Sequence, residues 1–325
     1  MKALRDVFGD TLVELANTNP NVLVLDADLA NSTKADKFAA AHPNQFLEMG
    51  IAEQNCVGVA AGLTQLGFIP WLSSFAVFFT HRAVDPIRML VAQTHANVKL
   101  GAAYSGLLTG YTGKTHQDIQ DLAIMRAMPG MTVLAPGDEI ECESMIRWAT
   151  DFVGPVYLRL SREAGPVLFN SDYRFNPGRT HHLREGTDAL LISTGTQSAR
   201  CLDAAERLAA HKISAGMLHV PSIKPVNVEE VVRACKAAPI VFTVEEHTIF
   251  GGLGGLIAEI LAEHCPKRVI RFGIEDRWGE SAPNDYLLEH FRLSAPRVAE
   301  RIVDYLHSGK PKQHSPSVET ARHEQ

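Results

Sequence analysis

The sequence predicts an α/β protein: two consecutive domains, each built on a mostly parallel sheet. Three observations carry that reading. Short apolar runs alternate with helical periods along nearly the whole chain, the pattern of parallel strands covered on both faces. One polar, irregular stretch interrupts the alternation near the middle. The 325 residues, 46% of them apolar and 21% charged, suffice for two separate cores.

Taken in order, Leu4, Phe8, Leu12 and Leu15 repeat at helical spacing, and Asn19-Pro20 closes that helix. Val22 to Leu25 reads as a buried strand with Asp26 and Asp28 at its carboxyl end. A helix is expected from about Ser32, and another from near Ala52 to Gly67. Ile69 to Leu72, Val98 to Ala102, Met131 to Leu134 and Val156 to Leu160 are further strands, with helices expected over 80–93, 118–128 and 138–150. From Glu163 to Gly186 the chain has the composition of a linker, with Pro166, Asn170, Asp172, Asn176, Pro177 and Gly178. Strands near 189–193, 215–220, 240–244 and 268–272, with helices between them, form the second series. The stretch from Ser308 to Gln325 has no apolar period and is expected to be disordered. The division is therefore a first domain over 1–165, a linker over 166–186, a second domain over 187–307 and a tail over 308–325.

Composition narrows the function. A net charge of −6 argues against a nucleic-acid partner, because tracking phosphates needs clustered Lys and Arg. No apolar run reaches the ~18–20 residues that span a bilayer. The first residues, Met1 to Asp6, carry both charge signs and lack the apolar stretch of a secretory signal. Cys56, Cys142, Cys201, Cys235 and Cys265 are odd in number and form no CxxC pair, as expected of reduced thiols in a cytoplasmic protein without a cysteine metal site.

Ligands of open α/β sheets bind beyond the carboxyl ends of strands. Three segments qualify. In Asp26 to Thr33, Ser32 and Thr33 suit a helix cap, and the same free N–H groups suit an anion. In Met49 to Asn55, Glu53 opens a helix rich in small residues; taken alone, it complements the helix dipole. From Tyr104 to Asp118 a loop holds Gly106, Gly110 and Gly113 ahead of Thr115-His116-Gln117, and a loop of this length is uncommon without a function. His116 there is either a proton carrier or a structural histidine. Phe75, Phe78 and Phe79 read locally as core, and Gly251 to Gly255 does not complete GxGxxG.

In combination these segments resemble the transketolase superfamily. Gly50-Ile51-Ala52-Glu53-Gln54-Asn55 is similar to the motif around the cofactor-activating glutamate. Ser74-Phe75 through Arg82-Ala83, Gly113-Lys114-Thr115-His116-Gln117, Arg126 to Gly130 and Leu158-Arg159-Leu160-Ser161-Arg162 follow in the family's order. Thr243 to His247 with its glycine segment resembles the family's C-terminal domain. The resemblance implies a pyrimidine-type, thiamine-diphosphate-binding fold followed by a transketolase C-terminal-like domain. The chain contains no Gly-Asp-Gly. It therefore resembles the C-terminal subunit of a split transketolase, active only with an N-terminal-type partner whose Gly-Asp-Gly motif holds most of the diphosphate and Mg2+ contacts. An α2β2 assembly is the expectation.

The resemblance also implies roles. Glu53 hydrogen-bonds the aminopyrimidine ring nitrogen N1′; Phe75, Phe78 and Phe79 supply stacking surfaces, with Phe79 the preferred contact; Asp28 lies near the cofactor. His116 faces the sugar, and Ser32 and Arg162 hold its terminal phosphate. The chain departs from the family at Gly110 to His116, where Thr112 replaces an aspartate that reads a substrate hydroxyl, and at Tyr104, which replaces a histidine. Hydroxyl recognition discriminates strongly. With Lys114 adding charge, these changes open the donor to branched (apulose-type) or sulfonated sugars beside xylulose 5-phosphate. Two other readings are a β chain of a 2-oxoacid dehydrogenase, against which Leu160-Ser161-Arg162 speaks, and a non-catalytic regulatory paralogue, against which Glu53 and His116 speak.

Overall fold

A computed structural model describes residues 1–309. Twelve strands fall into two sheets: β1 (Val22–Asp26), β2 (Phe46–Glu48), β3 (Ile69–Phe75), β4 (Lys99–Ala103), β5 (Thr132–Leu134), β6 (Val156–Leu160), β7 (His181–Arg184), β8 (Ala189–Ser193), β9 (Ala215–His219), β10 (Ser222–Lys224), β11 (Val241–Thr248) and β12 (Val269–Ile274). The first sheet runs β10-β5-β6-β4-β3-β1-β2 and the second β12-β11-β8-β9-β7. All pairings are parallel except β10 with β5 and β7 with β9. The α/β class with two mostly parallel sheets is as the sequence predicts.

Every residue of β1, β4, β6, β8 and β9 is buried, which is why these strands read as mainly apolar runs. Alternate residues still serve opposite faces. Leu23 and Leu25 join the core beneath Phe79 and Ile87, whereas Val22 and Val24 pack with Phe8, Leu12 and Trp71.

Three features were not legible as elements. β2 is only three residues, Phe-Leu-Glu, too short to show a period. β7 lies inside the polar stretch assigned to the linker; as an edge strand it needs no apolar face. It pairs His181 with His219 and His182 with Leu218. β10 belongs to the second half of the sequence but pairs with β5 of the first sheet. The last helix, Ala295–Ser308, takes in the first residue of the expected tail, and the remainder of that tail from 310 lies outside the described residues.

Buried polar groups join the two halves. Glu246 Oε1 accepts the N–H groups of Leu107 (2.8 Å) and Leu108 (3.0 Å). Arg159 donates through Nε to Asp121 (2.8 Å) and through Nη2 to the Glu246 carbonyl (2.9 Å). Glu141 meets His219 Nε2 at 2.8 Å, and His219 Nδ1 meets Ser198 Oγ at 2.6 Å. Apart from Asp121 Oδ1, which has no hydrogen-bond partner, these groups largely satisfy one another out of water.

Candidate active site

The order of the first sheet sets the carboxyl ends of β6, β4, β3 and β1 side by side, with Leu160 opposite Ala103, Phe75 beside Ala103, and Ser73 beside Asp26. The candidate residues leave these ends in turn: Arg162 after β6, Tyr104 after β4, Phe75 and Phe78 at and after β3, Asp28 and Ser32 after β1. One crevice thus collects side chains that are far apart in sequence.

An aromatic wall lines it. The Tyr104 ring lies 4.0 Å from Phe75 at 21°, and Phe75 lies 5.8 Å from Phe78 at 19°. The His116 ring stands edge-on to Phe75 (5.8 Å) and Phe78 (5.6 Å), and its Nδ1 meets Thr115 Oγ1 at 2.8 Å. Phe79 is not part of this wall: it is buried in the core with Leu25 and Ala60, because successive residues of a helical turn point in directions about 100° apart.

At one end of the wall, Glu53 opens the helix Glu53–Thr64 and is only 2% exposed. Its Oε1 accepts from Arg82 Nη1 at 2.8 Å, while Oε2 is buried with no partner. The Arg82 guanidinium lies 4.2 Å over the Phe78 ring, so one cation links the acid to the wall. Arg82 sits on a wide helical turn, with the Ala83 N–H donating to the Phe78 carbonyl five residues back at 2.9 Å, a geometry enriched at functional sites. The turn is anchored by Thr80, which donates to Asp118 at 2.5 Å. Asp118 is fully buried, and burial together with neighbouring Asp121 raises its pKa to about 7.

Cations gather at the other end. Arg5 Nη1 donates to the Ser32 carbonyl (2.8 Å) and to the Tyr104 hydroxyl (2.9 Å). The guanidinium groups of Arg5 and Arg162 flank the Tyr104 ring at 5.4 and 5.2 Å. Arg162 is fixed by a bond to the Thr109 carbonyl at 2.6 Å. At the end of β1, Asp26 is buried, raised to about 6 by that burial, and holds the Leu29 N–H at 2.6 Å. Glu48 Oε1 accepts from both Asp28 (3.0 Å) and Gly50 (2.9 Å), joining the segment after β1 to the approach of Glu53.

Asp28 and Lys114 are exposed. Thr112 turns back on its own loop, bonding the Thr109 carbonyl (3.1 Å) and hydroxyl (2.6 Å). The second half holds this loop in place: Asn284 accepts from the Gly110 N–H at 2.8 Å, Ser281 donates to the Tyr111 carbonyl at 2.6 Å, and Gln117 donates to the Glu280 carbonyl at 2.9 Å. Sequence reasoning gave no role to Arg5, Glu48 or Arg82, the last of which ends one of the family-like segments. Arg82 had a signal, a cation inside an otherwise apolar stretch; Arg5 and Glu48 look like ordinary surface charges.

The arrangement suits a flat, partly polar ring that meets an acid at one edge and carries, or lies beside, an anion at the other. Residues 1–167 match the transketolase pyrimidine-binding domain, and residues 178–298 the transketolase C-terminal domain. The chain belongs to the transketolase family. It is 40% identical over 306 residues (93% of this chain, 96% of the relative) to a protein of Methanocaldococcus jannaschii provisionally named as a transketolase C-terminal section. It is 37% identical over 91% of its length, and 92% of the relative, to a 6-deoxy-6-sulfo-D-fructose transketolase subunit of a Clostridium species. A solved split gene transketolase, an inactive beta4 tetramer, superposes with a TM-score of 0.87 at 42% identity, covering 94% of this chain and 99% of that one. The transketolase family depends on thiamine diphosphate, and the unpartnered Glu53 oxygen beside an aromatic wall fits the aminopyrimidine half of that cofactor. No described helix is long and apolar enough to cross a membrane.

Proposed function

We propose that this chain is the C-terminal subunit of a thiamine-diphosphate-dependent transketolase, moving a two-carbon ketol unit from a ketose phosphate to an aldose phosphate. The observation that carries the reading is the buried carboxyl oxygen Glu53 Oε2, which has no partner while Oε1 is held by Arg82. An orphaned buried oxygen is costly unless a ligand completes it. The ring nitrogen N1′ of an aminopyrimidine is such a ligand: Glu53 holds a proton at Oε2 toward it, and Arg82 keeps the carboxyl aimed. Phe75 and Phe78 keep water from that ring and give it a stacking surface. When bound, thiamine diphosphate supplies the electron sink for carbon–carbon cleavage. His116, at the rim of the wall, exchanges protons with the sugar's hydroxyls. Arg162 and Ser32 receive the terminal anionic group.

An N-terminal-type partner supplies the remaining half of the cofactor site, including most contacts to the diphosphate and Mg2+, in an α2β2 assembly. The names of the relatives support this reading, since one is a C-terminal section and others are transketolase subunits. So do the exposed apolar residues Ile51, two positions before Glu53, and Met89 and Leu90, of which Leu90 approaches Gly58 of the Glu53–Thr64 helix; they are 72%, 45% and 42% exposed. Five free thiols, four of them buried, favour a cytoplasmic setting. For the donor, Tyr104 and Thr112 favour a branched or sulfonated sugar over xylulose 5-phosphate; relatives named for apulose 4-phosphate and for 6-deoxy-6-sulfo-D-fructose point the same way.

The test is Glu53→Gln assayed with the partner, cofactor and Mg2+. Ketol transfer is expected to fall at least a hundredfold while gel filtration still shows the assembly. Near wild-type turnover would remove Glu53 from the mechanism, and turnover by the isolated chain would remove the partner. A panel of ketose phosphates and sulfonates assigns the donor.

A further inference from the structure

A second cluster of cations lies in the other half of the molecule. At the carboxyl end of β12 a cavity of about 250 Å3 opens between the segment after the strand, the turn at Phe291 and the helix Ala295–Ser308. Three arginines line it, each from a different one of these elements: Arg277, Arg292 and Arg301. Arg301 lies 3.8 Å over the Phe272 ring, and its polar contact is a long one, 3.4 Å to the Arg292 carbonyl. Arg277 lies 4.2 Å over Phe291 and spends its hydrogens on His290 Nε2 and the His290 carbonyl, both at 3.1 Å.

None of the three forms an ion pair among the described residues. Glu275 and Asp276 line the same cavity without reaching a guanidinium. Burial and the adjacent Arg292 push Arg301 down to about 10, and Glu275, the one opposite charge near it, offsets this only in part. Packing on Phe272 alone does not account for this, since a neutral side chain of similar length fills the same space without the cost of desolvating like charges.

We propose that this cavity binds the phosphoryl group of a small phosphorylated metabolite, at a site separate from the crevice of the first sheet. A planar carboxylate is satisfied by one guanidinium fork. Three guanidiniums arriving from three elements match the oxygens of a tetrahedral phosphoryl group, which point in different directions. The volume admits that group and a few further heavy atoms. Beyond Arg277 an adjoining hollow of about 140 Å3, lined by Gln120, Thr248 and Trp278, extends the room. Glu275 and Asp276 stand where a hydroxylated body would donate to them. The site does not depend on the proposed ketol transfer, because none of its arginines touches the Glu53 crevice.

Calorimetric titration of the full chain with inorganic pyrophosphate at low salt tests it. One pyrophosphate per chain is expected at this site, weakened about tenfold or more in both Arg301→Gln and Arg277→Gln, with Arg162→Gln leaving the event in place. Circular dichroism melts establish that the variants fold; should Arg301→Gln fail to fold, Arg277→Gln, an exposed side chain, decides alone. Absence of binding to the wild type, wild-type titrations in the folded variants, or binding that disappears with Arg162→Gln would each overturn the assignment.

Discussion

Replacing Arg82 with methionine isolates the pair on which the candidate site turns. Glu53 is 1% exposed at its side chain and Arg82 45%, with 2.8 Å between them. Breaking a fully buried pair costs about 3–5 kcal/mol, and an exposed pair is worth about 0.2–1 kcal/mol. With one partner buried and the other half in water, Arg82→Met should destabilise the chain by about 1–2 kcal/mol at pH 8, since it leaves a buried carboxylate with neither oxygen satisfied. Methionine retains part of the packing against Phe78, so the loss reports chiefly on charge. Glu53→Gln combined with Arg82→Met removes both charges and should recover most of that loss, a coupling of about 1 kcal/mol in a double-mutant cycle. Urea denaturation of the isolated chain at pH 8, followed by circular dichroism, measures both. A coupling indistinguishable from zero would mean that Arg82 does not hold Glu53.

Other consequences follow from the buried polar groups. The folded-state pKa of Asp118 is raised to about 7, against an unfolded value of ~3.9, so its contribution is fully present below pH ~4 and is lost as pH climbs through about 7. Relative to the wild type, Asp118→Asn should therefore lack a decline in stability across that window, which urea midpoints at half-unit steps of pH would show. Gly106 has φ +80°, and a Cβ there would sit 2.5 Å from Glu246 Oε1. Gly106→Ala should cost about 2 kcal/mol or more, seen as a lower thermal midpoint; an unchanged melt would mean that Glu246 can move aside freely. Glu141→Ala strips His219 and the Tyr173 hydroxyl of their partner and should lower stability by about 3–5 kcal/mol, read from guanidinium titration. A loss under 1 kcal/mol would show that this junction of the halves is solvated.

The sequence carried the sheet and the strand-end positions because both rest on simple rules. Fully buried strands leave apolar runs such as Val22 to Leu25, and parallel sheets set their ligands at carboxyl ends, which marks the segments around Asp26, Glu53 and Tyr104 to Asp118; the roles of Glu53, Phe75, Tyr104, His116 and Arg162 come from the resemblance to the transketolase superfamily, not from those rules. Three things were out of reach for local pattern. Whether Phe78 or Phe79 faces the crevice depends on the phase of a wide helical turn, and the two residues are equally apolar. Arg5 enters the site from the first helix by reaching across to Ser32 and Tyr104, a contact between residues 99 positions apart. β10 crosses to the first sheet only because β5, three residues long, leaves an open edge there.

That crossing bears on how the site works. The glycine loop carrying His116 is not shaped by its own residues alone: Gly110, Tyr111 and Gln117 each bond to the segment 280–284 of the second half, and Glu246 fixes Leu107 and Leu108 at its start. Gly113, with φ +72°, has the Ser281 side chain 3.1 Å from where a Cβ would stand, so the loop and the second half also fit by shape. Glu53, by contrast, is paired with Arg82 of the same half, and neither side chain bonds to the second half. The acid that would tune a cofactor and the loop that would read a sugar are thus held by different parts of the fold. Substitutions in segment 280–284 should accordingly move substrate discrimination while leaving the Glu53–Arg82 pair intact, which is the separation expected of a scaffold that keeps one chemistry while changing its sugar.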